Sequence, residues 1–255
     1  MANDLDAILR GWEYKPGMVQ ARLVRARDGR EVIQLRLDLG LLQMEIVGRP
    51  DGERPHGHFT FFDYLQHEAE RAERMGKDWV PDDDQCQGAD REFVQFYHRR
   101  MAWLALHDFD RALSDSDHTL AFMDFLKDHS PNEEFTLAHE QYRGFVLFHR
   151  TQAEAAKHLE AEDPERAVEA LHEGQRRILS FLAEHGLEEQ AERDGMLQQL
   201  RVSEQALREK HNIDTTLNEQ LARAVDEEDY EAAARLRDQI RNRDHGPRTS
   251  SHADS

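Results

Sequence analysis

The sequence predicts an α+β fold that is predominantly α-helical, with a small N-terminal antiparallel β-hairpin or meander followed by helical hairpins. Apolar and polar residues alternate between residues 19 and 39, which is typical of half-buried strands. From residue 90 onward, apolar residues recur at helical spacing almost to residue 243. A segment rich in turn formers, residues 48–57, separates the two regions.

The two predicted N-terminal strands are joined by Arg27-Asp28-Gly29, and this join decides their register. A two-residue turn at Asp28-Gly29 would put Arg22 opposite Leu35 on the apolar face. A three-residue loop with Gly29 in the left-handed conformation pairs apolar residues instead. Its pairs are Leu23 with Ile33, Ala21 with Leu35 and Val19 with Leu37. Because the buried face sets the register of a strand, we favour the three-residue loop, which places Arg22 and Arg36 on the solvent face.

Residues 41–47 are predicted to form a third strand after a bend at Gly40, and a tight GRPDG turn follows at residues 48–52. Arg49 and Arg54 lie beside glycines in this region, so the loop could hold an anion. Solvated arginines in a tight loop are the simpler interpretation.

An N-cap pattern then marks the first long helix. Thr60 with Asp63 resembles a capping box, which predicts a helix over residues 61–75. Residues 77–89 are predicted to be a loop. Its three adjacent carboxylates, residues 82–84, lack the alternating ligands of an EF-hand calcium loop, so we interpret the segment as a solvated acidic linker.

Two helical hairpins are predicted in the middle of the chain. Residues 108–112 (DFDRA) place a small acidic turn before an aromatic residue and a packing alanine, and residues 162–167 (EDPERA) repeat the theme. Both segments resemble the turn between the two helices of a tetratricopeptide (TPR) repeat. Ala112 and Ala167 are 55 positions apart, whereas a regular array would give about 34. We therefore predict two degenerate TPR-like hairpins with an extra helix between them.

Residues 217–240 carry the most specific pattern in the chain. Two short amphipathic helices flank an acidic turn, and Asp229 is placed to cap the second helix. The segment resembles the UVR (UvrB/UvrC) motif, a short helical hairpin. The matching residues that we propose to bind protein are Leu217, Leu221, Ala224, Tyr230, Ala233, Leu236, Arg237 and Ile240.

The resemblance implies a hairpin that pairs with another protein or with a second copy of the chain. UVR motifs occur in the repair proteins UvrB and UvrC, in the stress regulator McsA and in Clp-type unfoldases. This chain lacks the CxxC zinc sites of McsA-like proteins and the GxxxxGK[ST] phosphate loop of ATPases. What the resemblance carries over is therefore the hairpin and its habit of pairing with another protein. A plain charged hairpin that closes the fold is the alternative.

Composition limits the classes of function. The chain has 33 basic and 52 acidic side chains and a net charge of −19, and a field of this sign repels a phosphate backbone. No run approaches the length of a membrane span and the first residues lack a signal-peptide core, so a cytoplasmic location without a membrane partner is expected. Cys86 is the single cysteine, so no internal disulfide is possible. No catalytic or cofactor motif is present, and we expect neither an enzyme nor a bound cofactor.

Two further sets of residues are candidates for binding. His56, His58 and His67 could form a zinc set, but their spacing is not a recognised metal signature, and polar loop histidines are the simpler interpretation. The N-terminal hairpin is locally basic, and its arginines form a candidate nucleic-acid face. They are Arg22, Arg25, Arg27, Arg30 and Arg36. An aromatic stacking surface is not interleaved with them, which favours a solvated face or a dock for acidic helices.

These patterns divide the chain into five parts: a small β-domain (1–59), a TPR-like helical domain (60–186), a charged helical connector (187–212), the UVR hairpin (213–243) and a disordered tail (244–255). The connector is thinly apolar, so it predicts a stalk that carries a mobile hairpin. Two binding elements without a catalytic centre indicate an adaptor for DNA-repair or stress and proteolysis assemblies. The alternative is a nucleic-acid-associated repair accessory.

Overall fold

The computed structural model describes residues 5–245, and it confirms an α+β, mostly helical fold. The strands are β1 (Gln20–Arg25), β2 (Glu31–Leu37) and β3 (Gly40–Glu45). The helices of the first half are α1 (Asp6–Arg10), α2 (Phe61–Arg74), α3 (Asp83–Ala105) and α4 (Phe109–Asp128). Those of the second half are α5 (Glu133–Glu140), α6 (Arg143–Glu160), α7 (Pro164–Glu184), α8 (Gly195–His211), α9 (Leu217–Asp226) and α10 (Tyr230–His245). Short 3-10 helices cover Pro55–Gly57 and Glu188–Gln190.

The strands form an antiparallel sheet in the order β1-β2-β3, with the predicted register between β1 and β2. Leu23 pairs with Ile33 and Ala21 pairs with Leu35. The Ala26 N–H donates to the Arg30 carbonyl at 2.8 Å across a three-residue loop in which Gly29 has φ of 90°. The three-residue loop is therefore confirmed.

The sheet is covered on both faces, so the prediction that Arg36 faces solvent is wrong. In β2 the side chains of Gln34 and Arg36 are buried along with their apolar neighbours. The Arg36 guanidinium donates to the carbonyls of Trp12 and Gly40 at 2.8 and 2.9 Å. Arg22 lies over the Trp12 ring and donates to Gln34. The segment that contains Trp12 covers this face, and a pattern within the strand does not reveal such a cover.

The opposite face of the sheet packs on the helical body. Ile33, Leu35 and Met44 share one hydrophobic cluster with Trp103 of α3 and Ala112 of α4. The predicted division at residue 59 therefore does not separate two hydrophobic cores. Burial of these apolar side chains fixes the sheet against α3.

Helices α2 and α3 both begin at capping boxes. Thr60 caps α2 as predicted, and Asp82 caps α3 through the backbone N–H of Gln85. The loop predicted over residues 77–89 is thus wrong from residue 83 onward. Glu92 of α3 is fully buried, and its carboxylate accepts from the N–H groups of Phe61 and Phe62 at 2.5 and 3.1 Å. This carboxylate ties the N-terminus of α2 to α3.

Two helical hairpins, α3–α4 and α6–α7, are separated by α5, which is the predicted order of elements. In each turn a left-handed residue precedes an aspartate that caps the next helix: His107 (φ 59°) before Asp108, and Glu162 (φ 57°) before Asp163. Helices α6 and α7 pack closely at Gly174, where an added Cβ would lie 2.0 Å from the Thr151 hydroxyl oxygen.

Helix α8 lies against α7 and is part of the body. Leu197 and Leu200 are buried in the same cluster as Leu171 and Ile178 of α7. The predicted stalk over residues 187–212 is therefore wrong, because the few apolar residues of this segment are the ones that pack.

The predicted disordered tail, residues 244–255, lies outside the described residues except for its first two positions, which belong to α10.

Candidate protein-binding hairpin

Helices α9 and α10 form the C-terminal hairpin, and each helix start is capped. Thr216 and Glu219 form a capping box: the Thr216 hydroxyl accepts from the Glu219 N–H at 3.2 Å, and the Glu219 carboxylate accepts from the Thr216 N–H at 2.8 Å. The Asp229 carboxylate accepts from the Ala232 N–H at 2.9 Å, as predicted for the second cap. These caps satisfy backbone donors that a short helix leaves unpaired.

The predicted protein-binding residues differ in exposure. Ala224 and Ala233 are buried, which allows close approach of α9 and α10. Leu217, Leu221, Leu236 and Ile240 are half-buried. Tyr230 and Arg237 are exposed, and 70% of the Tyr230 surface is accessible. The buried members hold the hairpin together, and the exposed members are free to meet another molecule.

The turn of this hairpin has the same form as the turns of the two hairpins in the body. Glu228 is left-handed (φ 58°) and precedes the capping Asp229, whose N–H donates to the Ala224 carbonyl at 2.8 Å. The corresponding N–H groups of Asp108 and Asp163 donate to carbonyls five residues earlier at 3.0 and 2.9 Å. A buried alanine follows four positions after each aspartate: Ala112, Ala167 and Ala233.

Two carboxylates of α7 bind the hairpin, and sequence reasoning missed both. Glu165 accepts from the Leu217 N–H at the start of α9 at 2.6 Å. Glu169 accepts two hydrogen bonds from Arg243 near the end of α10, at 2.7 and 3.2 Å. The partners are 52 and 74 positions apart, so no local pattern indicates them.

Arg208 of α8 provides a third link, because its guanidinium donates to Glu219 at 2.5 Å and to Glu204 at 2.9 Å. Burial raises the pKa of Glu219, but hydrogen bonds from Arg208 and the Thr216 backbone outweigh it and lower the pKa overall. The hairpin is therefore joined to the body by hydrogen-bonded charges.

Comparison with known families identifies the hairpin. The family model described as "UvrB/uvrC motif" (UVR) matches residues 215–242. The hairpin is a UVR motif. No curated protein and no solved structure matches the chain. UVR motifs generally mediate protein–protein interactions.

The candidate nucleic-acid arginines are mostly engaged within the fold. Arg22 and Arg36 are held as described above, and Arg30 pairs with Asp28 and Glu45. Arg25 and Arg27 are exposed, and within residues 5–245 neither forms an ion pair. The structure therefore leaves two of the five arginines available at the β1–β2 loop.

Arg49 of the GRPDG loop and Arg54, which follows the loop, both have partners within the fold. Arg49 is buried, and its guanidinium lies 3.3 Å from Asp51 and 3.7 Å from Glu92. Arg54 lies over the Phe59 ring. The cavity of about 480 Å³ beside this loop is thus lined by carboxylates as well as by arginines, which does not favour an anion.

The candidate zinc histidines do not converge on one point. His56 stacks on Tyr64, and the His58 and His67 rings are 5.2 Å apart. Within the described residues, the group of possible metal ligands that converges is His172, Glu204 and Glu219. Arg208 already donates to both of these carboxylates, so an ion pair accounts for their proximity.

Cys86 lies in the first turns of α3 rather than in a loop. Burial raises the pKa of its thiol, and the neighbouring carboxylates of Asp90, Asp83 and Asp82 raise it further. The thiol therefore lacks the low pKa of a reactive cysteine, as predicted from its acidic surroundings.

No helix within residues 5–245 has the length and apolar character that crossing a membrane requires.

Proposed function

We propose that this protein is a non-catalytic adaptor whose UVR hairpin binds another protein, or a second copy of the chain, in a DNA-repair or stress and proteolysis assembly. The observation that carries the proposal is the tip of the hairpin. There Tyr230 is 70% exposed and Val225 is 42% exposed, within a motif whose leucines and isoleucine are half-buried. Exposed aromatic residues are favoured anchors of protein interfaces because they bury a large area with few rotatable bonds.

The helical body offers a second contact. An open groove of about 680 Å³ lies between α3, α6 and α8. Its lining is largely apolar and includes Met101, Leu104, Ala155, Leu159 and Leu207. Apolar grooves between helices accept amphipathic segments of other proteins. A chain with a hairpin contact and a groove contact is suited to bridge two partners.

The proposal is tested by affinity purification with matched variants. Charged replacements at the tip, Val225→Glu with Tyr230→Glu, should remove a stoichiometric partner while the helical circular dichroism persists. Val202→Glu is the control, because Val202 is 67% exposed on α8 outside the motif. Sedimentation of the purified chain reports pairing of two copies by the same tip. Retention of the partner by the tip variant would refute the proposal.

The second candidate function is a nucleic-acid-associated repair accessory, and the exposed Arg25 and Arg27 favour it. Both lie at the β1–β2 loop without an ion pair within the described residues. Binding through them would weaken steeply with salt, because phosphate contacts release counterions. A gel-shift titration at low salt decides the matter, with Arg25→Gln and Arg27→Gln as the test variant. Absence of a shift at micromolar protein would remove this function.

A further inference from the structure

A cavity of about 640 Å³ lies between α2, the segment that follows it, and the end of α4. We call it the Trp79 pocket. Its aromatic wall consists of Trp79, Phe125 and His129. The Trp79 ring centroid is 5.8 Å from that of Phe125 and 5.6 Å from that of His129. The indole is half-buried, so its wall is fixed while part of its surface stays accessible.

The rest of the lining is strongly acidic. Glu70 and Glu73 of α2, Asp78 and Asp128 contribute four carboxylates, against the single ammonium of Lys77. Within the described residues, none of these four carboxylates has an ion-pair or hydrogen-bond partner. The fold has therefore gathered a net negative charge beside an aromatic wall.

Two helix ends add to this charge. Glu73 lies in the last turn of α2 and Asp128 is the last residue of α4, and both line the pocket. The C-terminal end of a helix carries a partial negative charge from unpaired carbonyls, and it stabilises cations. Carboxylates, helix ends and the faces of aromatic rings all attract the same kind of ligand, a cation.

We propose that the Trp79 pocket binds a cationic side chain presented by a basic segment of a partner protein, with arginine preferred over lysine. A planar guanidinium stacks on an indole and donates several hydrogen bonds to carboxylates, whereas an ammonium acts as a point charge. A metal ion is a poorer fit, because the four carboxylates are not among the groups whose ligand atoms converge within the described chain. The pocket lies outside the UVR hairpin, so this proposal does not depend on the function proposed for the hairpin.

Titration of the full chain followed by the indole NMR signals tests the proposal. The protein has three tryptophans, and Trp79→Leu identifies the signal of Trp79. The probe is a pentapeptide of three glycines and two arginines with both termini blocked. Its analogues have two lysines or two neutral citrullines in place of the arginines. The arginine peptide should shift the Trp79 signal saturably, the lysine peptide should bind more weakly, and the citrulline peptide should leave it unchanged. A Trp79 signal that the arginine peptide does not move would overturn the proposal.

Matched charge variants separate the pocket from general attraction to an acidic protein. The pocket variant is Glu70→Gln with Glu73→Gln and Asp128→Asn, all exposed positions at which the fold is expected to persist. The control is Glu188→Gln with Glu189→Gln and Glu192→Gln, which removes the same charge from the exposed segment before α8.

The affinity for the arginine peptide should be lower by about tenfold or more in the pocket variant, because three favourable charge contacts are lost. In Trp79→Leu the ring is lost, and the affinity should fall by about fivefold, measured from the shifts of neighbouring backbone amides. The control should bind like the wild type. Equal weakening by the pocket and control variants would overturn the proposal, since it would show attraction to the net charge alone.

Discussion

Removing the two α7 carboxylates should release the UVR hairpin from the body. The change is Glu165→Gln with Glu169→Gln. Glu169 and Arg243 form a bidentate pair whose side chains are 12% and 18% exposed, and Glu165 accepts a charge-assisted hydrogen bond from the Leu217 N–H at 2.6 Å. A partly buried bidentate pair and one charge-assisted bond together contribute about 2 kcal/mol. The equilibrium constant for release should therefore rise by about 30-fold.

Hydrogen exchange measures this release directly. A hairpin of about 30 residues buries too little apolar surface to be stable alone, so the released hairpin should also unfold. Amides of residues 217–243 should exchange about 30-fold faster in the double variant, while those of α6 and α7 keep their rates.

Glu173→Gln is the matched control. Glu173 lies on the same helix and also accepts from arginines, but these are Arg176 and Arg177 of α7 itself. The reasoning would be refuted if hairpin exchange were the same in wild type and double variant. It would also be refuted if α6 and α7 were accelerated as much as the hairpin.

Three further predictions concern the stability of the body, each measured by urea unfolding. Glu162→Gly should stabilise by about 0.5–1 kcal/mol, because glycine adopts the left-handed conformation without steric cost, and Glu162→Ala should give no gain. Gly174→Ala should destabilise by about 1–3 kcal/mol, because its Cβ would overlap Thr151, so an unchanged midpoint would contradict the packing. Burial, and then the charge of Arg100, lower the pKa of His149 to about 4 from an ordinary value of 6.5. The contribution of neutral His149 to the free energy of unfolding is therefore fully present above about pH 6.5, and about 3 kcal/mol is lost as the pH falls to 4. His149→Gln should remove this part of the pH dependence. Parallel pH curves for the two proteins would contradict it.

Local patterns predicted what local physics determines. The β1–β2 register follows from Gly29 and from the need to bury Ile33 and Leu35, and it is confirmed. The UVR hairpin follows from helical spacing and an acidic turn within one segment. The start of α3 also has a local signal, because Asp82 and Gln85 form a capping box. The three adjacent carboxylates favour an acidic linker instead, and that prediction is wrong from residue 83 onward.

Contacts between distant segments account for what the sequence did not reveal. Arg36 is buried because a segment 24 positions earlier covers the sheet. The hairpin is attached because Glu165 and Glu169 meet residues more than 50 positions later. Leu197 and Leu200 are too sparse to predict burial, yet both are covered by α7. In each case a distant segment of the chain, rather than the local sequence pattern, determines whether the residue is buried or bonded.

The turn shared by the three hairpins has a consequence for the order in which the chain folds. Each turn closes two helices through contacts local in sequence, and local contacts form quickly because little loop entropy is lost. The contacts that join hairpins to other elements are the long-range ones, so they form later. During synthesis, α7 with Glu165 and Glu169 leaves the ribosome before α9 and α10 do. The surface of α7 that receives the UVR hairpin can thus be folded before the hairpin itself exists, so the hairpin meets its docking surface as soon as it leaves the ribosome.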